Sequence, residues 1–196
     1  SAFAYRSIDN EAAFYRQVVA GPVPRFLYSP RHERITQFGG TIAKDLGPAV
    51  LKSEVIHTRS KAFSVQGVAD ADGIAKLDLV DYLVGLDFGL DGDTRLNFYF
   101  FQRYFTKYKD GVVPDRTENG LTVLLSHKLT STFEVQALFI KSLNRDDWMF
   151  RPRATWNFAR NWRLNFGVDV LHGPQLGFFG RFANQDRVYA DVRYSF

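Results

Sequence analysis

The sequence predicts an all-β chain, an antiparallel up-and-down transmembrane β-barrel of about ten strands. Three observations carry the prediction. The chain ends in DRVYADVRYSF, where Val188, Ala190, Val192, Tyr194 and Phe196 fall on one face and Arg187, Tyr189, Asp191, Arg193 and Ser195 on the other. A period of two is the mark of a strand with one apolar and one charged face. Short turns then alternate with long links along the chain, as an up-and-down barrel requires. Finally, 16% of the residues are aromatic although the mean hydropathy is only −0.22. That combination suits strands with one face in lipid and one in water.

The same alternation runs upstream. NWRLNFGVDV sets Trp162, Leu164, Phe166, Val168 and Val170 against Arg163, Asn165 and Asp169. WMFRPRATWNF sets Trp148, Phe150, Ala154, Trp156 and Phe158 against Arg151, Arg153, Thr155 and Asn157. In STFEVQALF, Phe133, Val135, Ala137 and Phe139 oppose Glu134 and Gln136, and in LTVLLSHKL, Leu121, Val123, Leu125 and Leu129 oppose Thr122, Ser126 and Lys128. TRLNFYFFQRYF places Leu96, Phe98 and Phe100 opposite Arg95, Asn97, Tyr99 and Arg103. VDYLVGLDFGL places Val80, Tyr82, Val84, Leu86 and Phe88 opposite Asp81, Gly85 and Asp87. Nearer the start the pattern weakens: AVLKSEVIHT reads as a strand with Lys52 and Glu54 on its polar face, RITQFGGTIAK as a strand of open register and SAFAYRSI as a fragment.

Tight turns are expected at Asp45 to Pro48, Asp91 to Asp93, Thr130 to Ser131 and Ala159 to Asn161. Longer links are expected at about residues 10 to 33, 60 to 78, 107 to 118, 143 to 147 and 172 to 185. With the C-terminus in the periplasm, the short turns face the periplasm and the long links face outward. Trp156, Trp162, Tyr194 and Phe196 then gather at one interface, with Trp148 and Tyr104 at the other. Soluble sandwich strands also alternate, but they are seldom this long and this aromatic.

Composition narrows the chemistry. No run of eighteen apolar residues occurs, which excludes a transmembrane helix. The absence of cysteine excludes disulfides and thiolate metal sites. A net charge of +4, mixed in sign along the chain, does not read as a nucleic-acid surface. SAFAYRSID lacks the basic start and hydrophobic core segment of a signal peptide.

On the polar parity lie Arg95, Arg103, Arg151, Arg153, Arg163, Arg187 and Arg193 with Lys52 and Lys128, and the acids Glu54, Asp81, Asp87, Glu134, Asp169 and Asp191. Two roles compete for the arginines. They form a positive strip that selects anions, or they pair with Asp169 and Asp191 and brace the wall. Catalysis is not expected: Ser126 and His127 are neighbours pointing to opposite faces, and Ser53 with His57 has no carboxylate on its parity. His32 and His172 read as solvated or interfacial. DADG at 70–73 and DGD at 91–93 lack the later ligands of a calcium loop, so neither metal nor other cofactor is expected. GPVPRFLYSPRHER is basic and aromatic and suits lipopolysaccharide phosphates, while Phe178, Phe179 and Phe182 could fold inward as a gate.

The stretch from SLNRDDWMF to RVYADVRYSF resembles the C-terminal part of a family of large proteobacterial outer-membrane proteins catalogued as domain of unknown function 1302. DYLVGLDF, FFQRYF and FGGTIAKDLGPAVLKSEV fit that family in order. The resemblance implies a longer barrel of which this chain, residues 1–196, is a single barrel domain or its C-terminal part. It also implies a partner exporter and the movement of lipid-like molecules. Two roles therefore stand as expectations: an outer-membrane channel passing a lipid-like or anionic solute, or a non-conducting structural or assembly subunit of a larger envelope complex. The aromatic C-terminal residue resembles the signal read by the barrel assembly machinery, which would be a partner together with outer-membrane lipid.

Overall fold

The computed structural model describes residues 1–23, 25–67 and 70–196. Pro24, Val68 and Ala69, which fall in two of the expected links, lie outside the described residues. Ten strands form one antiparallel sheet in sequence order: β1 (Ala2–Val19), β2 (Arg25–Asp45), β3 (Ala49–Ser64), β4 (Ile74–Gly89), β5 (Thr94–Phe105), β6 (Thr117–Lys128), β7 (Phe133–Ser142), β8 (Trp148–Ala159), β9 (Trp162–His172) and β10 (Arg187–Tyr194). β1 and β10 are the end strands, with no ladder between them among the described residues. A 3-10 turn at Gly180–Phe182 is the one helical element described. No described helix is long and apolar enough to cross a membrane.

All four tight turns form where the sequence places them, and those at Gly47 and Asp91 carry their own turn chemistry. Gly47 takes φ 90° and donates its N–H to Asp45 Oδ1 at 2.8 Å. Asp91 accepts the N–H of Asp93 at 2.9 Å, the N–H of Thr94 at 2.5 Å and the Thr94 hydroxyl at 2.9 Å. The hydroxyl of Thr94, followed by the N–H of Asp93, holds the Asp91 carboxyl below its ordinary pKa. DGD is thus a hairpin turn whose first carboxylate is already committed.

Two expected links are corrected. Residues 10 to 33 are mostly strand, since β1 runs to Val19 and β2 starts at Arg25, and β3 and β4 likewise shorten the link at 60 to 78 to the segment after Ser64 and before Ile74. These outer strand halves show little apolar alternation, so periodicity misses them. Backbone pairing carries them instead, from Ala12↔His32 to Val19↔Arg25 past a bulge between Ile8 and Ala12. Arg31 adds a cation–π contact 4.7 Å from the Tyr15 ring.

The chain divides into two compact units. The first comprises Ser1–Thr41, Glu54–Tyr82 and Gln102–Glu118. Its apolar core is Val65, Ala75, Leu77, Leu79, Phe105 and Val112, with Phe63 and Tyr108 against it. Ala75, Leu77 and Leu79 continue the parity of Asp81, so this covered face turns from polar to apolar along β4. The second unit comprises Ile42–Ser53, Leu83–Phe101 and Asn119–Phe196.

Burial in the second unit inverts the soluble rule, while the first unit keeps its apolar core beside two buried polar residues. In the second unit Asp169 is 2% exposed and Asn165 5%, whereas Phe166 is 51% and Val188 70% exposed. Val84, Phe98, Leu125, Phe139, Phe150 and Val192 are exposed as well. In the first unit Asp9 and Thr58 are buried while Ile8, Phe14, Phe26 and Phe38 are exposed. The apolar parity read from the sequence is therefore the uncovered face.

Glycines on the covered face admit aromatic rings from the adjoining strand. Tyr189 lies directly opposite Gly167 and Phe3 opposite Gly39, and a Cβ at either glycine would meet the ring. Gly85 does the same for Tyr99, and Gly120 for Phe101. Gly167→Val should displace Tyr189 and lower stability by about 1–3 kcal/mol through overpacking. The urea midpoint of tryptophan fluorescence measures this, and an unchanged midpoint would show that the ring has room to move.

Candidate functional site

The polar face of β8, β9 and β10 is built in rows by register. Asp169 on β9 stands opposite Arg187 on β10. It accepts from Arg187 Nε at 2.5 Å and, from the other side, Arg151 Nε at 2.5 Å and Nη2 at 3.3 Å. One nearly inaccessible carboxylate thus holds guanidiniums from both flanking strands. Thr155, Asn165 and Asp191 form another row: the Thr155 hydroxyl donates to Asn165 Oδ1 at 2.9 Å, and Asn165 Nδ2 donates to Asp191 Oδ1 at 2.8 Å. In a further row Arg163 faces Arg193 directly. Arg163 Nε donates to Asn157 Oδ1 at 3.0 Å.

Of the arginine–aspartate pairings expected, those of Arg151 and Arg187 with Asp169 form. The pairing does not extend to Asp191, which takes the amide of Asn165 rather than a guanidinium because Asn165 is its direct cross-strand partner. Arg95, Arg153 and Arg193 have no ion pair among the described residues. Elsewhere in this unit Lys52 meets Asp87 at 2.6 Å, and Asp87 also accepts from the Tyr99 hydroxyl at 2.5 Å and from Asn97. Glu134 accepts from Gln136 at 2.8 Å.

In the first unit a cavity of about 210 Å³ opens on the polar face, lined by Tyr5, Ser7, Asp9, Gln37, Thr58, Lys61, Asp81 and Arg103 among others. Opposite charges sit in pairs around it. Lys61 Nζ lies 2.8 Å from Asp9 Oδ2 and 2.9 Å from Glu11 Oε2. Arg103 Nε and Nη2 reach the two Asp81 oxygens at 2.7 and 3.2 Å. Gln37 Nε2 donates to the buried Thr58 hydroxyl at 2.9 Å. Sequence reading placed Arg103 and Asp81 on this face but missed Asp9, Lys61 and Thr58, whose strand halves carry no clean alternation.

Aromatic residues run in an unbroken series across one end of β8 to β10. Ring centroids are 5.6 Å apart for Trp156 and Phe158, 6.1 Å for Phe158 and Trp162, 4.9 Å for Trp162 and Tyr194, and 6.4 Å for Tyr194 and Phe196. At the opposite end Trp148 stacks on His172 at 5.1 Å and lies 6.0 Å from Phe139.

The link after β9 is tied down by a residue the sequence reading passed over. Asp147 is 1% exposed, and its carboxylate accepts the N–H groups of Phe178 at 2.6 Å, Phe179 at 3.0 Å and Gly180 at 2.8 Å. Gly173 and Gly177 crowd around it, where any Cβ would collide, and a Cβ at Gly180 would meet the Gly173 and Pro174 backbone. The signal was present as the glycine spacing of GPQLGFFG, but nothing local names its distant carboxylate. Phe178 and Phe182 consequently stay exposed with Arg181 between them, rather than folding inward as a gate.

His32, His127 and the calcium-like loop have ordinary partners. His127 Nδ1 lies 2.8 Å from the Thr94 hydroxyl, and His32 Nδ1 2.9 Å from the Asp9 carbonyl. Asp70 is paired with Lys109, and Asp72 accepts the N–H of Ile74 at 3.2 Å. No group of three or more metal-ligating side chains occurs among the described residues. No family model, curated protein or solved structure matches the chain.

Two outcomes test this geometry. Asp169→Asn leaves Arg151 and Arg187 without their shared counter-charge and should destabilise the fold by about 2 kcal/mol. Adding Arg151→Gln to it should restore part of the loss in a double-mutant cycle, whereas strict additivity would mean that the pair does not interact. Asp147→Ala should free the 173–186 link and raise trypsin cleavage after Arg181 several-fold while cleavage elsewhere stays constant. An unchanged rate at Arg181 would show that the carboxylate does not hold the link.

Proposed function

We propose that this chain forms the wall, or the C-terminal part of the wall, of a β-barrel in the bacterial outer membrane, with its C-terminus in the periplasm. Its polar face lines a passage for an anionic or lipid-like solute. The observation that carries the reading is the inversion of burial in the second unit: its uncovered face is aliphatic and aromatic, and its covered face buries Ser126, Asn165 and Asp169, the last with two guanidiniums upon it. In water such an outer face would aggregate, whereas hydrocarbon suits it. β1 to β9, at 10 to 21 residues, supply the span that a tilted crossing needs. The aromatic series at Trp156, Trp162, Tyr194 and Phe196 fits an interfacial girdle. The barrel assembly machinery acting on β10, outer-membrane lipid, and a periplasmic or exporter partner belong to the same reading, as does kinship with the family of domain of unknown function 1302.

Selectivity falls to the polar-face arginines that have no side-chain partner among the described residues. Arg95, Arg153 and Arg193 keep their charge available, whereas Arg103, Arg151 and Arg187 are neutralised locally. The second reading, a non-conducting structural subunit, draws on those same neutralised pairs, which brace a wall without creating a field.

Single-channel recording in a planar bilayer separates the two. Steady conductance with anion preference, shifted toward cations by Arg153→Glu and little altered by Arg151→Gln, is the expected result. A silent protein that is inserted in the bilayer would favour the structural role.

A further inference from the structure

Arg6, Arg34 and Arg59 stand together on the outward apolar face of the first unit. Arg6 lies opposite Thr36 on β2, and Ile8 lies opposite Arg34, so the two arginines are diagonal neighbours across β1 and β2. The Arg59 guanidinium rests 5.4 Å from the Phe38 ring, two residues from Thr36. Gln37, Ser7 and Thr58, the adjoining residues in the chain, turn to the other face and line the polar cavity.

All three arginines are exposed, and none has an ion pair among the described residues. The acids nearest Arg6 and Arg34 along the chain are committed to the opposite face. Asp9 is held by Lys61 at 2.8 Å, and Glu33 by Lys76 at 2.6 Å and the Tyr15 hydroxyl at 2.7 Å. Three guanidiniums thus share a patch with no counter-charge, flanked by exposed Ile8 and Phe38.

The position along the strands fits a headgroup layer. Along the chain Arg34 and Arg59 each stand roughly ten residues from the turn joining β2 to β3, the residue count of one tilted crossing.

We propose that Arg6, Arg34 and Arg59 form a binding site for the phosphomonoester groups of a phosphorylated glycolipid in the outer leaflet. Guanidiniums match phosphate oxygens in planar, bidentate fashion. Phe38 meets the acyl chains beneath, with Ile8 level with Arg34. A soluble polyanion would gain nothing from these apolar neighbours. The inference rests on the barrel reading and deepens it by naming a lipid partner and its chemistry.

The test reconstitutes the full chain into phosphatidylcholine vesicles containing either bisphosphorylated lipid A or enzymatically dephosphorylated lipid A. Vesicle flotation reports insertion, and native mass spectrometry after extraction in mild detergent counts retained lipid. Wild type should float and retain the phosphorylated form in preference, even in excess inorganic phosphate. The triple variant Arg6→Gln, Arg34→Gln, Arg59→Gln should float equally and lose that preference by roughly tenfold to a hundredfold. Arg160→Gln, in the turn after β8, should retain the lipid as wild type does. Equal retention by the triple variant would overturn the site with the barrel reading intact, and displacement by inorganic phosphate would make it a free-anion site instead. Wild type that fails to float would defeat the barrel reading and the lipid site with it.

Discussion

A carboxylate that leaves water must keep a counter-charge, and much of the covered face is organised by that constraint. Asp169 draws Arg151 and Arg187 toward one point from the strands on either side of β9. A slip of one residue on β8 or β10 would turn its arginine to the other face and strand the charge. The ion pairs thus act as a register device as much as a source of stability. Asp9 with Lys61, and Arg103 with Asp81, meet the same demand in the first unit.

Steric fit supplements charge. A tyrosine opposite a glycine occupies space that any other residue on that strand would fill, so Tyr189 over Gly167 marks register as firmly as a salt bridge does. Because the outer face packs against nothing within the sheet, the covered face must carry most of the side-chain specificity. It does so with a mixture of paired charges, amide bridges and ring-on-glycine contacts, changing to an apolar core at Leu79 and Phe105. The free arginines stand out against this background of satisfied groups, on the polar face at Arg153 and on the outer face at Arg34.

Links differ in how they are held, and the difference follows from their polar chemistry. Short turns satisfy themselves through a local aspartate, as at Asp91. The link after β9 depends on Asp147, which belongs to another connection and gathers three successive N–H groups. Arg16 plays a comparable part between β3 and β4, donating to the carbonyls of Gly67 and Asp70 at 2.6 and 2.5 Å.

Strand order, the four tight turns and the two faces of β5 to β10 were legible in the sequence, because alternation and turn residues are local properties. Val188 and Phe166 could be assigned to the outer face, and Asp169 to the covered face, from parity alone. The outer halves of β1 to β4 were not legible: there neither face alternates cleanly, and backbone pairing such as Phe14↔Pro30 leaves little side-chain signature. Nor could parity say which arginine finds a carboxylate. Only the register of neighbouring strands gives Asp169 to Arg187, gives Asp191 to Asn165, and leaves Arg163 facing Arg193. The sequence by itself determined the element types and their two faces, since side-chain period follows from the strand backbone. The tertiary structure alone decided which charges are neutralised and which stay free, because that depends on partners distant in the chain.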